Sequence, residues 1–175
     1  MKSTIVVVAA IVFAVTLQSL LVRGLGDAKL YVDLPLVAVV YAALTRGRVA
    51  GLLGGTLAGL AQDAVSGAIL GVSGMAKSLA GFLAGVVGTQ FIVTQTLPRL
   101  LVFFGASLAS SAVFLGLYLL LGLRSVDPQQ WVAIGFQATG NALVGAVVFE
   151  VVDMLPGVRE RWRVRREYRR RARFR

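Results

Sequence analysis

Apolar positions fall into six runs, divided by short polar or glycine-rich breaks. The first extends from about Thr4 to Val22 and is followed by Arg23-Gly24-Leu25-Gly26-Asp27. No small-residue cleavage signature closes it, so the pattern predicts a retained helix rather than a signal peptide. The second, Leu30 to Thr45, is short against the ~20 residues that a helix needs to cross a bilayer. Asp33 and Pro35 near its start suit an N-cap and a first helical turn, so this helix is expected to begin below the far interface or to be re-entrant. Arg46-Gly47-Arg48 makes a tight basic turn into a third run, Val49 to Ala64. A glycine-rich connection from Ser66-Gly67 to Gly71-Val72-Ser73-Gly74 leads to a fourth, Met75 to Val93. The fifth covers Leu97 to Leu121 and the sixth Gln130 to Val152, closed by Pro156-Gly157. The expected fold is an all-α integral membrane protein, a six-helix transmembrane bundle over residues 1–157, with a basic tail at 158–175.

Composition sharpens this picture. Of 175 residues, 57% are hydrophobic and 15% charged, too few charges to clothe a soluble domain of this size. Histidine and cysteine are both absent, which excludes Ser-His-Asp and Cys-His catalysis, zinc sites with nitrogen or sulfur ligands, haem and iron–sulfur clusters. No metal or cofactor is expected.

Charge sets the expected topology. Lys2, Arg46 with Arg48, Arg99 and the tail fall on one side of the six runs, against Arg23 with Lys29 and Arg124 on the other. The positive-inside bias therefore places both termini in the cytoplasm, in a multi-pass protein of the cytoplasmic membrane. Ten arginines, among them Arg159, Arg161, Arg163, Arg165, Arg166 and Arg169, stand in the last 17 residues against Glu160 and Glu167. Such a block beside an apolar helix suits anionic lipid headgroups, a solvated topology anchor or a cytoplasmic partner. No aromatic-interleaved module accompanies it, which argues against nucleic acid.

Gly47, Gly51, Gly55 and Gly59 recur every four residues, so they stack on one helix face and drift by only about 40° per step. Gly81 and Gly85 repeat the device in the fourth run. Bare backbone lets helices approach closely in lipid, where no hydrophobic effect presses them together. The ladder therefore reads as internal packing or as a face for another protein's helix. Asp63 closes the third run, and Lys77, in the first turn of the fourth, is its expected ion-pair partner; a structural ion pair or loop cap is one reading of Asp63, and a role of the pair in binding a partner or ligand is the other. Asn141, with Gln137 one turn before it, is expected to make an interhelical hydrogen bond. Glu150 and Asp153 are expected to be neutralised by nearby arginines. No carboxylate pair with a basic relay is evident at depth, so an intramembrane enzyme or proton-coupled pump finds little support.

From Tyr31 to Phe82 the chain resembles the MreD family of rod-shape-determining proteins. The resemblance rests on Asp33-Leu34-Pro35, Val39-Val40-Tyr41, Arg46-Gly47-Arg48, Gly59-Leu60-Ala61-Gln62-Asp63, Ser66-Gly67 and Leu70-Gly71. More loosely it takes in Leu17-Gln18 and Asn141. It implies a non-enzymatic scaffold subunit of the elongasome, which supports cell shape and side-wall peptidoglycan synthesis. MreC would be its direct partner, with MreB, RodA and a class B penicillin-binding protein in the wider complex. It also implies an architecture similar to the substrate-binding subunits of energy-coupling-factor transporters. The alternative function is accordingly a small-molecule-binding subunit of a vitamin or metabolite transporter, with Asp63, Lys77, Gln137, Asn141 and Tyr118 as its few candidate polar contacts.

Overall fold

A computed structural model of the chain describes residues 2–25, 32–90, 96–122 and 128–154, all of it helix and short connections. Six helices follow one another: α1 Lys2–Leu25, α2 Leu34–Arg46, α3 Arg48–Ser66, α4 Val72–Gln90, α5 Thr96–Leu120 and α6 Pro128–Met154. Their bounds lie within four residues of the apolar runs, the largest difference being the later start of α2, and the predicted all-α bundle is observed. The end of the fourth run, at Val93, and the arginine tail lie outside the described residues.

Helices α1, α4, α5 and α6 are long and apolar enough to cross a membrane. Helix α3 has comparable length but is less apolar, with Arg48, Gln62 and Asp63 among its glycines. Helix α2 has 13 residues, a length of about 20 Å against a hydrocarbon thickness of about 30 Å. It compensates by lying inside the bundle, in contact with all five other helices. Leu36, Val37, Val40 and Ala43 pack with Ala80 and Ala84 of α4, Phe103 and Ala106 of α5, and Ala142 and Phe149 of α6. On its other side, Val39 joins Ile11 and Val15 of α1 and Ala58 of α3. The outward faces carry large apolar side chains such as Phe13, Leu57, Leu83 and Leu143, as a surface solvated by lipid requires.

Two glycines set the turns at opposite ends of α3. Gly47 adopts φ +96°, a conformation costly for any residue with a Cβ, and joins α2 to α3. It was expected to open the ladder on α3. Instead it stands outside the helix, and a Cβ there would meet Thr89 only at an ordinary 3.9 Å. Gly67, at φ +66°, ends α3 in the left-handed conformation.

Candidate functional site

The two residues before α2, Val32 and Asp33, are not helical, although Asp33 is buried and Val32 half-buried. Irregular backbone at such depth is tolerated only when protein satisfies its polar groups. Side chains from three other helices do so. From α1, the Gln18 amide donates to the Val32 carbonyl at 3.1 Å and accepts from the Leu34 N–H at 2.7 Å. From α6, Asn141 Oδ1 accepts the Asp33 N–H at 2.7 Å, while its Nδ2 donates to Ser107 Oγ of α5 at 2.8 Å. From α4, Lys77 Nζ pairs with Asp33 Oδ2.

Asp33 thus serves three elements at once. Its Oδ1 accepts the Leu36 N–H at 3.0 Å, the predicted N-cap of α2, with Pro35 in the first turn where a missing N–H costs nothing. Its Oδ2 holds α4, and its N–H holds α6. With side-chain exposures of 4% for Lys77 and 8% for Asp33, the pair is buried, and each charge needs the other to remain there. The Asn141 bond across the bundle, expected from sequence, is present. Replacing Asn141 by leucine, of similar volume, strands the Asp33 N–H and is expected to cost about 1–3 kcal/mol. A thermal melt of the purified protein in detergent checks this.

The structure corrects the expected pairing of Asp63 with Lys77. Asp63, 1% exposed, instead turns its Oδ2 to the N–H groups of Gly71 at 2.8 Å and Ser73 at 3.2 Å, capping the connection into α4. Helix α4 starts at Val72, a turn earlier than predicted, so Lys77 lies deeper than the Asp63 cap and reaches Asp33. Asp63 therefore acts as the foreseen loop cap rather than through an ion pair.

Beside this hub, α3 and α4 meet along a seam of bare backbone, their contact being the most extensive between any two described helices. A Cβ on Gly51 would fall 2.7 Å from the Gly81 carbonyl carbon, one on Gly55 2.6 Å from the Ser78 nitrogen, and one on Gly59 onto Gly74. From the α4 side, a Cβ on Gly81 would meet Gly51, and one on Gly85 would meet Arg48. Thr56 and Ser78 add a hydroxyl–hydroxyl hydrogen bond of 3.1 Å across the same seam. The ladder is covered from within the chain, which closes it to a partner's helix.

At the opposite end, Arg99 in the first turn of α5 bonds Asp153 at 2.8 Å and approaches Glu150 at 3.9 Å, both on α6. Its guanidinium lies 4.1 Å from the centroid of the Phe149 ring, a favourable cation–π contact. Sequence spacing alone did not point to Gly145 either, where the Phe103 ring fills the space that a Cβ would need. Among the described residues, no group of three metal-ligating side chains occurs.

Asp33, Gly59 and Asp63, and more loosely Gln18 and Asn141, are among the residues on which the resemblance to rod-shape-determining proteins rests. A family model described as rod shape-determining protein MreD matches residues 1–155. The chain belongs to the MreD family. Membership assigns this membrane protein a role in the determination of rod shape. In this chain, Gln18, Asp33 and Asn141 tie down the start of α2, Asp63 caps the loop before α4, and the glycines of α3 and α4 let those helices touch. No curated protein and no solved structure matched the chain.

Proposed function

We propose that this member of the MreD family is a non-enzymatic scaffold of the elongasome that binds MreC directly and, with it, joins MreB, RodA and a class B penicillin-binding protein. The family match over residues 1–155 carries this reading. The disposition of polar side chains supports it: Asp33, Lys77, Asn141 and Asp63 are engaged with one another or with backbone, and Arg99 with Asp153, in bonds that fix helix positions. In this reading Gly51, Gly55, Gly59, Gly81 and Gly85 serve the partner indirectly, by fixing the bundle's shape, and MreC meets an outward apolar face. Helices α1, α4, α5 and α6 cross the bacterial inner membrane, with α3 packed against α1, α2 and α4 and the short α2 enclosed within the bundle. Both termini are cytoplasmic, and the arginine tail, Arg159 to Arg175, rests on anionic lipid.

The test is a detergent pull-down of the tagged full chain with MreC, using photo-crosslinking residues at the outward positions Phe13, Leu57 and Leu143. Co-purification is expected, with a covalent adduct from at least one of the three. A folded chain that captures no MreC, and gives no adduct in membranes, overturns the proposal.

A further inference from the structure

The end of the bundle that carries the hub also contains a cavity of about 530 Å3, bounded by α2 through α6. This is within the range of roughly 300–1,000 Å3 in which small-molecule sites fall. Of the hub's side chains, Asp33 and Lys77 reach its wall, and Asn141 does not. The rest of the wall is of two kinds. Amides and hydroxyls come from Gln62 and Ser66 of α3, Ser110 of α5, and Gln130 and Gln137 of α6. An apolar patch comes from Phe114, Leu115 and Ile134.

Two observations narrow what this space accepts. First, Gln62 Oε1 on α3 and Gln130 Oε1 on α6 are buried with no hydrogen-bond partner among the described residues. Buried acceptors are nearly always matched, so two on one cavity wall call for donors from what enters it. An amide turned end for end would offer N–H instead, and a hydroxyl satisfies either orientation. Second, the charged groups on the described wall, Asp33 and Lys77, are paired with each other. A charged occupant would face no uncompensated countercharge there.

We propose that the cavity binds a neutral polyhydroxylated ring, a sugar moiety, with hydroxyls on Gln62 and Gln130 and an apolar C–H face on Phe114 and Leu115. The same chemistry is offered by a glycolipid headgroup and by a free sugar, and the two are separable. The full chain is placed in phosphatidylcholine nanodiscs that contain monoglucosyl-diacylglycerol or phosphatidylglycerol, or that are supplied with soluble methyl glucoside, and retained ligand is read by native mass spectrometry. Retention of the glucolipid alone identifies a headgroup site, and retention of methyl glucoside as well identifies a site for free sugar.

Gln62→Leu and Gln130→Leu should each weaken retention about three- to ten-fold, the effect of one neutral hydrogen bond. Ala133→Phe, which fills the cavity from α6 and leaves both amides in place, should abolish it while the melting temperature holds. Should Gln62→Leu fail to fold, the two α6 variants decide. The idea fails if the wild type retains neither sugar, if phosphatidylglycerol is held equally well, or if folded variants bind as the wild type does. MreC capture is a separate measurement, so this result and that of the scaffold test are independent.

Discussion

Replacing Lys77 by methionine is expected to destabilise the bundle by about 3–5 kcal/mol, the usual cost of leaving one member of a buried ion pair without its partner. Methionine fills much the same space, so the loss comes from the stranded Asp33 carboxylate rather than from a void. The carboxylate cannot move to water without pulling the start of α2 with it, because Asp33 also caps that helix and bonds Asn141. Asp33→Asn, which keeps an N-cap oxygen, should be comparably damaging, since it leaves the Lys77 ammonium buried. Combined, the two substitutions remove both charges and should recover most of the lost stability. Thermal melts of the four proteins in one detergent, with the monodisperse fraction after solubilisation, complete the cycle. A Lys77→Met protein that melts with the wild type, or a double variant no better than the singles, would contradict the assignment.

Gly55→Ala is expected to be among the most damaging single-methyl changes in the described helices. The new Cβ would lie within the α4 backbone at Lys77 and Ser78, and backbone cannot rotate away as a flexible side chain can. Overpacking of this kind costs about 1–3 kcal/mol and sometimes more, and a helix displaced from Lys77 would also disturb the ion pair. Gly105→Ala on α5 is the control, because a Cβ there meets nothing within 4 Å. That change should be neutral or stabilising by up to about 1 kcal/mol through helix propensity. Opposite signs for the same substitution in one melting experiment separate a packed seam from a general dislike of alanine. Equal effects would show that α3 and α4 do not touch as closely as described.

Six helices were legible in the sequence because lipid imposes a strong pattern: the apolar runs are bounded by Gly, Pro, charge or, between the fourth and fifth, the polar Thr94-Gln95-Thr96. Asp33 as an N-cap was legible as well, since capping is a local matter of residue type and spacing. The ladder at Gly51, Gly55 and Gly59 announced close packing but not its partner. Periodicity defines a face, while the helix that covers it is decided by how the chain turns at Gly67 and Gly71. The Lys77 pairing was misread for a related reason. Asp63 is nearer in sequence, but its carboxylate is claimed by the Gly71 and Ser73 N–H groups, and only the earlier start of α4 shows how deep Lys77 sits. Arg99 was counted as a basic marker of topology, and nothing in its neighbours announced that Asp153, 54 residues on, would hold it inside the bundle.

The Asp33–Asn141 hydrogen bond spans 108 residues of chain. A ribosome releases α2 long before α6 exists, so the second helix must wait for the last one to complete its hydrogen bonding. Whatever receives this chain during synthesis holds a half-satisfied intermediate until translation is nearly finished.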